Sequence, residues 1–150
     1  MFYWPVRVYY EDTDSGGVVY YANYLKYLER ARTEWLRNLG IEQDVLAKSA
    51  GVIFAVRALT IEYLRPARFN EQLYAGAAVG GRRAASLTFL QRVVRADGAA
   101  AVDDAAVLDA AEALCTAQVE VVCVDAAGLR PRRIPDFLLD RFLAEMKSES

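Results

Sequence analysis

The chain has 150 residues, 55% hydrophobic and 25% charged, with a net charge of −2; this suits one domain with a buried core, argues against disorder, and gives no general electrostatic attraction for nucleic acid. It contains no histidine. Ser-His-Asp and Cys-His pairs, an HExxH zinc site and a histidine general base are therefore excluded, and any catalysis must use carboxylates, tyrosine, lysine, arginine or backbone groups.

Residues 4–10 are aromatic and β-branched and predict an opening strand. Glu11, Asp12 and Asp14 follow and crowd negative charge, which is expected to raise some carboxylate pKa values. Gly16 and Gly17 allow a sharp turn and close approach of backbone to a ligand. From Asn23, a plausible N-cap, the apolar residues Tyr24, Tyr27, Leu28, Ala31, Trp35 and Leu39 recur at helical spacing, with Lys26, Glu29, Arg30, Thr33 and Arg37 on the opposite face. Asn38 and Gly40 provide a stop. A helix start carries unpaired N–H groups and partial positive charge. A carboxylate facing it across a glycine turn could attack a carbonyl whose oxygen rests on those N–H groups, or activate water against it. The opposing reading is a capped turn with a solvated acidic patch.

Four strand-like segments follow. Residues 52–63 alternate late, with Leu59, Ile61 and Tyr63 on one face. Residues 72–79 place Leu73, Ala75, Ala77 and Val79 together, and residues 86–95 set Leu87, Phe89 and Val93 against Ser86, Thr88 and Arg92. Residues 112–124 align Ala113, Cys115, Ala117, Val119, Val121 and Cys123. Polar-apolar alternation and short connections, through Arg65-Pro66 and through Gly80-Gly81-Arg82-Arg83, predict antiparallel pairing without crossover helices. Cys115 and Cys123 stand roughly 26 Å apart on one straight strand, too far for an intrachain disulfide. Two buried free thiols suit a reducing compartment, and without histidine they do not make a zinc site.

Residues 96–111 are rich in alanine and aspartate and read as a flexible hairpin loop or a short helix. A terminal helix is expected from Ile134-Pro135 onward. No uninterrupted apolar stretch reaches the ~18 residues of a membrane helix, and no basic segment precedes an apolar one as in a signal peptide. A cytoplasmic protein without a transmembrane segment is expected. Residues 1–150 thus read as a single α+β domain in the order β-α-β-β-β-β-α. An antiparallel sheet wrapped around a long central helix, a hotdog fold, satisfies both apolar faces. Its unpaired edge predicts a homodimer or homotetramer.

Here the chain resembles a known family. Residues 10–20 (YEDTDSGGVVY), 27–34 (YLERARTE), 61–68 (IEYLRPAR), 85–89 (ASLTF) and 130–135 (RPRRIP) are similar to the 4-hydroxybenzoyl-CoA thioesterase family of the hotdog superfamily. Within it, the similarity is greatest to bacterial acyl-CoA thioesterases encoded near the Tol–Pal envelope system. The resemblance implies a hotdog fold, dimers or tetramers, and hydrolysis of acyl- or aroyl-CoA to free acid and coenzyme A. By that resemblance Asp14 is the essential carboxylate, as nucleophile or general base, and the backbone N–H of Tyr21 polarises the thioester carbonyl. Gly17, Val18, Tyr20 and Tyr24 would surround the substrate. Arg82, Arg83 and Ser86, with Arg132 and Arg133, would hold coenzyme A, which enters as part of the substrate, with no separate cofactor and no metal. A set of Glu11, Asp12 and Asp14 holding a cation is the disfavoured reading, and Glu34 is expected to pair with Arg30 or Arg37 on the helix surface. Two departures stand out. Tol–Pal-linked members often carry histidine where this chain has Tyr21, and the segment before Glu112 is longer than usual. The competing function is a non-catalytic module binding acyl groups or an acyl carrier protein, the latter a second candidate partner of the enzyme as well.

Overall fold

In a computed structural model describing residues 1–96 and 104–149, the described residues form strands β1 (Phe2–Arg7), β2 (Val52–Tyr63), β3 (Gln72–Arg82), β4 (Ser86–Arg95) and β5 (Glu112–Asp125). Four helices accompany them: α1 (Asn23–Asn38), α2 (Gln43–Ser49), α3 (Ala105–Asp109) and α4 (Asp136–Glu149). The strands make one antiparallel sheet in the order β1-β3-β4-β5-β2. This is the hotdog arrangement, with α1 lying against β3, β1 and β4.

The alternation in the sequence becomes one buried face. Leu73, Ala75 and Ala77 of β3, Leu87, Phe89 and Val93 of β4, and Cys115, Ala117, Val119, Val121 and Cys123 of β5 share a core with Tyr24, Tyr27, Leu28, Ala31, Trp35 and Leu36 of α1. Small alanines on β3 let the aromatic helix approach closely. Trp35 meets Phe89 edge-on at 5.2 Å and lies 5.5 Å from Phe142 of α4, which closes that end of the core.

A bulge explains the late alternation of β2. Phe54 and Val56 pair with Cys123 and Val121, and the register then skips Arg57, so that Leu59, Ile61 and Tyr63 oppose Val119, Ala117 and Cys115. The extra residue switches the apolar row of β2 from even to odd numbers, keeping it opposite the apolar row of β5. A second bulge, at Leu114, displaces Ala113 from the core row and puts Leu114 in the core instead.

Several boundaries differ from expectation. β1 ends at Arg7, and Tyr10–Asp12 form a 3-10 turn. Asn23 is not the N-cap: Ala22 holds that position with no side-chain cap, and Asn23 is the first helical residue. Helix α2 had no expectation, because its seven residues are too few to display an apolar period. In the alanine-rich segment, Asp104 Oδ1 accepts the Ala106 and Val107 N–H groups at 3.0 and 3.4 Å and starts α3. The hairpin alternative for residues 97–103 lies outside the described residues. Both cysteines are free and buried, and burial pushes the Cys115 thiol up to about 11. No helix among the described residues is long and apolar enough to cross a membrane.

Candidate active site

The loop joining the 3-10 turn to α1 is held almost entirely by its own backbone. The buried Asp12 carboxylate accepts the Tyr9 N–H at 2.9 Å through Oδ2. The Tyr27 phenol lies close to it, and burial first, then this carboxylate, raises the pKa of that phenol above its ordinary range. Asp14 is exposed. Its N–H donates to Val18 O at 2.9 Å, its carbonyl accepts from Gly17 N–H at 3.0 Å, and its Oδ1 accepts from Gly16 N–H at 2.8 Å. The carboxylate is thereby oriented while Oδ2 has no protein donor among the described residues. Gly17 sits at φ +78°, a region natural to glycine. A Cβ at residue 16 would come within 3.2 Å of Asp14 Oδ1, so both glycines shape this turn.

The loop is strapped to the segment after β2. Val19 N–H donates to Ala67 O at 2.8 Å, and Val18 bridges Arg68. Glu71 holds that segment: it accepts the Arg68 N–H at 2.6 Å and pairs with Arg95, whose Nη2 also reaches Pro66 O at 2.7 Å. Burial works against the Glu71 carboxylate, but the hydrogen bonds from Arg95 and Arg68 outweigh it and hold its pKa low.

The start of α1 is left open. Tyr20 N–H donates to Asp12 O at 2.9 Å and Asn23 N–H donates to Tyr20 O at 2.8 Å. The N–H groups of Tyr21 and Ala22 between them meet no protein acceptor among the described residues. These are the orphan donors of a helix start, carrying its partial positive charge. Beside them a cavity of about 260 Å³ is lined by Val19, Tyr21, Tyr24, Tyr63, Leu64, Arg65 and Pro66. Tyr63 meets Tyr21 and Tyr24 edge-on at 6.0 and 5.5 Å.

The expected site residues divide into two groups. Asp14, Gly17, Val18, Tyr20, Tyr21 and Tyr24 belong to one loop-to-helix segment, of which Tyr21 and Tyr24 line the cavity. The pKa of the exposed Tyr20 phenol is raised by a hydrogen bond with the Tyr21 hydroxyl, with the Asp14 charge adding to the effect. Tyr24 is buried and its hydroxyl accepts the Ala67 N–H at 3.1 Å, so it offers a cavity wall. Glu11 and Asp14 are exposed while Asp12 points inward, and no group of three acidic, cysteine or histidine side chains among the described residues is arranged to hold a metal. Glu34 pairs with Arg37 on the helix.

The arginines form the second group. Arg83 N–H donates to Ser86 O at 2.8 Å and Ile134 N–H to Ala84 O at 2.9 Å, which sets the β3–β4 turn beside residues 132–134. Arg82, Arg83, Arg132 and Arg133 are exposed, whereas Ser86 is buried. Arg132 Nη1 donates to Ala50 O at 3.2 Å, and Arg133 stands 3.9 Å from Asp136. This cluster lies at the opposite end of the sheet from Asp14. The Asp14 loop adjoins the Gln72 end of β3 through Val8, Ala67 and Arg68, and the arginines adjoin the Arg82 end. The strand between spans roughly 33 Å. Sequence reasoning missed Tyr63, Arg65 and Pro66 as cavity residues; the aromatic ending β2 directly before Leu64-Arg65-Pro66 was the available signal.

An antiparallel sheet packed around a central helix defines a hotdog fold. Residues 8–142 match the thioesterase-like superfamily, and the chain belongs to that family. It is 43% identical to the acyl-CoA thioester hydrolase YbgC of Escherichia coli O6:H1 over 95% of this chain and 96% of that protein. It is 39% identical to the acyl-CoA thioesterase YbgC of Haemophilus influenzae, over 89% of this chain and 88% of that one. Among solved structures, a probable thioesterase from Bartonella henselae superposes with a TM-score of 0.76 at 32% identity, covering 89% of this chain and 98% of its own.

Proposed function

We propose that the protein hydrolyses acyl-CoA thioesters at Asp14. The observation that carries this reading is the pair of unengaged N–H groups at Tyr21 and Ala22, at the end of the loop that holds the Asp14 carboxylate oriented. A thioester carbonyl oxygen resting on those donors gains charge as its carbon is attacked, and fixed dipoles at a helix start stabilise that charge without reorganising. Asp14 then acts in one of two ways. As nucleophile it expels the coenzyme A thiolate and leaves an anhydride for water to cleave; as general base it takes a proton from the attacking water. The acyl group would lie in the tyrosine-walled cavity. Coenzyme A enters as part of the substrate, and the free thiols fit a reducing compartment such as the cytoplasm.

A second copy completes this reading. Among the described residues neither edge of the sheet has a strand partner, but the two edges differ. β1 is short and carries Pro5 and Arg7, features that blunt an edge, whereas β2 runs 12 residues with Val56, Leu59 and Tyr63 exposed. Antiparallel pairing of two β2 strands about a two-fold axis would set the Val52 end of one against the Tyr63 end of the other. The partner's arginine end would then lie beside this chain's Asp14, where exposed guanidinium groups can take coenzyme A phosphates.

The test is Asp14→Asn, assayed by thiol release over acetyl, short, medium, long and aromatic acyl-CoA. The near-isosteric change is expected to reduce kcat/KM by more than about a hundredfold, or 2.7 kcal/mol of transition-state stabilisation, with the fold retained. Retention of more than about a tenth of wild-type kcat/KM would show that Asp14 does not perform the chemistry. Single turnover in isotopically labelled water tests the nucleophilic role: label in the Asp14 carboxylate requires an anhydride cleaved at the Asp14 carbonyl, whereas general-base hydrolysis places label in the product acid alone.

A further inference from the structure

The two open N–H groups belong to peptide units whose other ends are tied down. The Tyr21 N–H shares its peptide with Tyr20 O, which accepts the Asn23 N–H at 2.8 Å. The Ala22 N–H shares its peptide with Tyr21 O, which accepts the Tyr63 hydroxyl at 3.0 Å and, more weakly, the Tyr24 N–H at 3.4 Å. Tyr63 is the last residue of the edge strand β2, 42 positions away in sequence. A donor on a carbonyl draws electron density toward the oxygen and makes the N–H of the same peptide a better donor. It also fixes the peptide plane, and with it the direction of that N–H.

A second tie works from the other side. Asn23 stands at the helix start, where asparagine ordinarily caps the helix N–H groups with its own oxygen. Here its Nδ2 donates to Asp12 O at 2.8 Å, onto the same oxygen that receives the Tyr20 N–H at 2.9 Å. The side chain that could have filled the orphan donors instead joins the helix start to the loop bearing Asp14, two residues beyond Asp12.

We propose that the Tyr63 hydroxyl and the Asn23 carboxamide are positioning groups that set the Tyr21–Ala22 donors relative to the Asp14 carboxylate. This rests on the function proposed above. Neither group touches the thioester. Tyr63 orients the peptide that presents the Ala22 N–H, and Asn23 fixes the separation between donors and carboxylate. Such geometry matters most when charge has developed on the carbonyl oxygen, so its loss lowers kcat and leaves KM nearly unchanged.

The experiment compares wild type, Asp14→Asn, Tyr63→Phe and Asn23→Asp in steady-state hydrolysis of the best acyl-CoA substrate, with thermal melting of each. Tyr63→Phe keeps the ring contacts and removes only the hydroxyl; it should lower kcat about tenfold, one hydrogen bond's worth, with KM within about twofold and an unchanged melting temperature. Asn23→Asp keeps the shape but turns the donor into an acceptor facing Asp12 O. It should lower kcat at least as much while the helix is not destabilised, because a carboxylate in the first turn favours the helix dipole. Activity and melting temperature falling together in both variants would overturn the proposal in favour of a purely structural role. Full kcat in both variants, with Asp14→Asn inactive, would overturn this assignment alone. An Asp14→Asn variant as active as wild type would overturn the reading of the site and this assignment with it.

Discussion

If coenzyme A is held by one copy while its thioester is cleaved by Asp14 of another, defective chains should complement each other. Asp14 and the arginine turn lie at opposite ends of a sheet roughly 33 Å long, and pairing along β2 would reverse those ends between copies. The perturbations are Asp14→Asn in one chain and the double substitution Arg82→Ala/Arg83→Ala in the other, since both arginines are exposed. Charge-assisted contacts to phosphate contribute about 1.5 kcal/mol or more each when sheltered, and less when exposed, so together they should raise KM about tenfold. Co-expression with two different affinity tags allows the mixed dimer to be isolated. One of its two sites would combine intact Asp14 with intact arginines and the other would lack both, so thiol release below KM should be about half that of wild type per dimer. Asp14→Asn homodimers should show under about a hundredth of wild-type activity, and arginine-deficient homodimers about a tenth. A mixed dimer no more active than the average of its two parents would refute the shared site, as would a fully active monomer in light scattering at micromolar concentration.

Other consequences follow from the packing. Replacing Gly17, at φ +78°, by alanine should destabilise the loop by about 1 kcal/mol and lower kcat, read by melting and thiol release. Trp35→Ala empties the contact between Phe89 and Phe142 and should reduce unfolding free energy by about 3–5 kcal/mol in urea titration. Because the Glu71 carboxylate is held below its ordinary value of 4.5, its ion pair contributes stability that is complete above that pH and disappears as pH falls through the lower, folded value. The melting advantage of wild type over Glu71→Gln should therefore be constant above that pH and shrink on acidification; an advantage that grows toward acid would contradict this sign.

Much of the fold was legible because its period was local. Alternation in β3, β4 and β5 and the apolar stripe of α1 repeat over many residues, and each repeat reports which side faces the core. A candidate site was legible for the same reason: Glu11, Asp12, Asp14, the two glycines and the helix start are neighbours in the chain, but the choice of Asp14 among the three carboxylates came only from the family resemblance. Helix α2 escaped because it is too short to establish a period. The N-cap assignment failed because local preference for asparagine there was overruled by a tertiary acceptor, Asp12 O, reached across the loop.

Composition excluded histidine chemistry, and pattern alone pointed to a curled antiparallel sheet on a long helix with a cluster of carboxylates shortly before its start. Only the tertiary structure decided which hydroxyl ties down the donor peptide, where Arg57 bulges from β2, and that the arginines and Asp14 stand at opposite ends of one chain. Those features depend on pairs of residues far apart in sequence. Each pairing arises from strand register and from how the helix seats on the sheet, and such contacts leave no periodic trace along the chain.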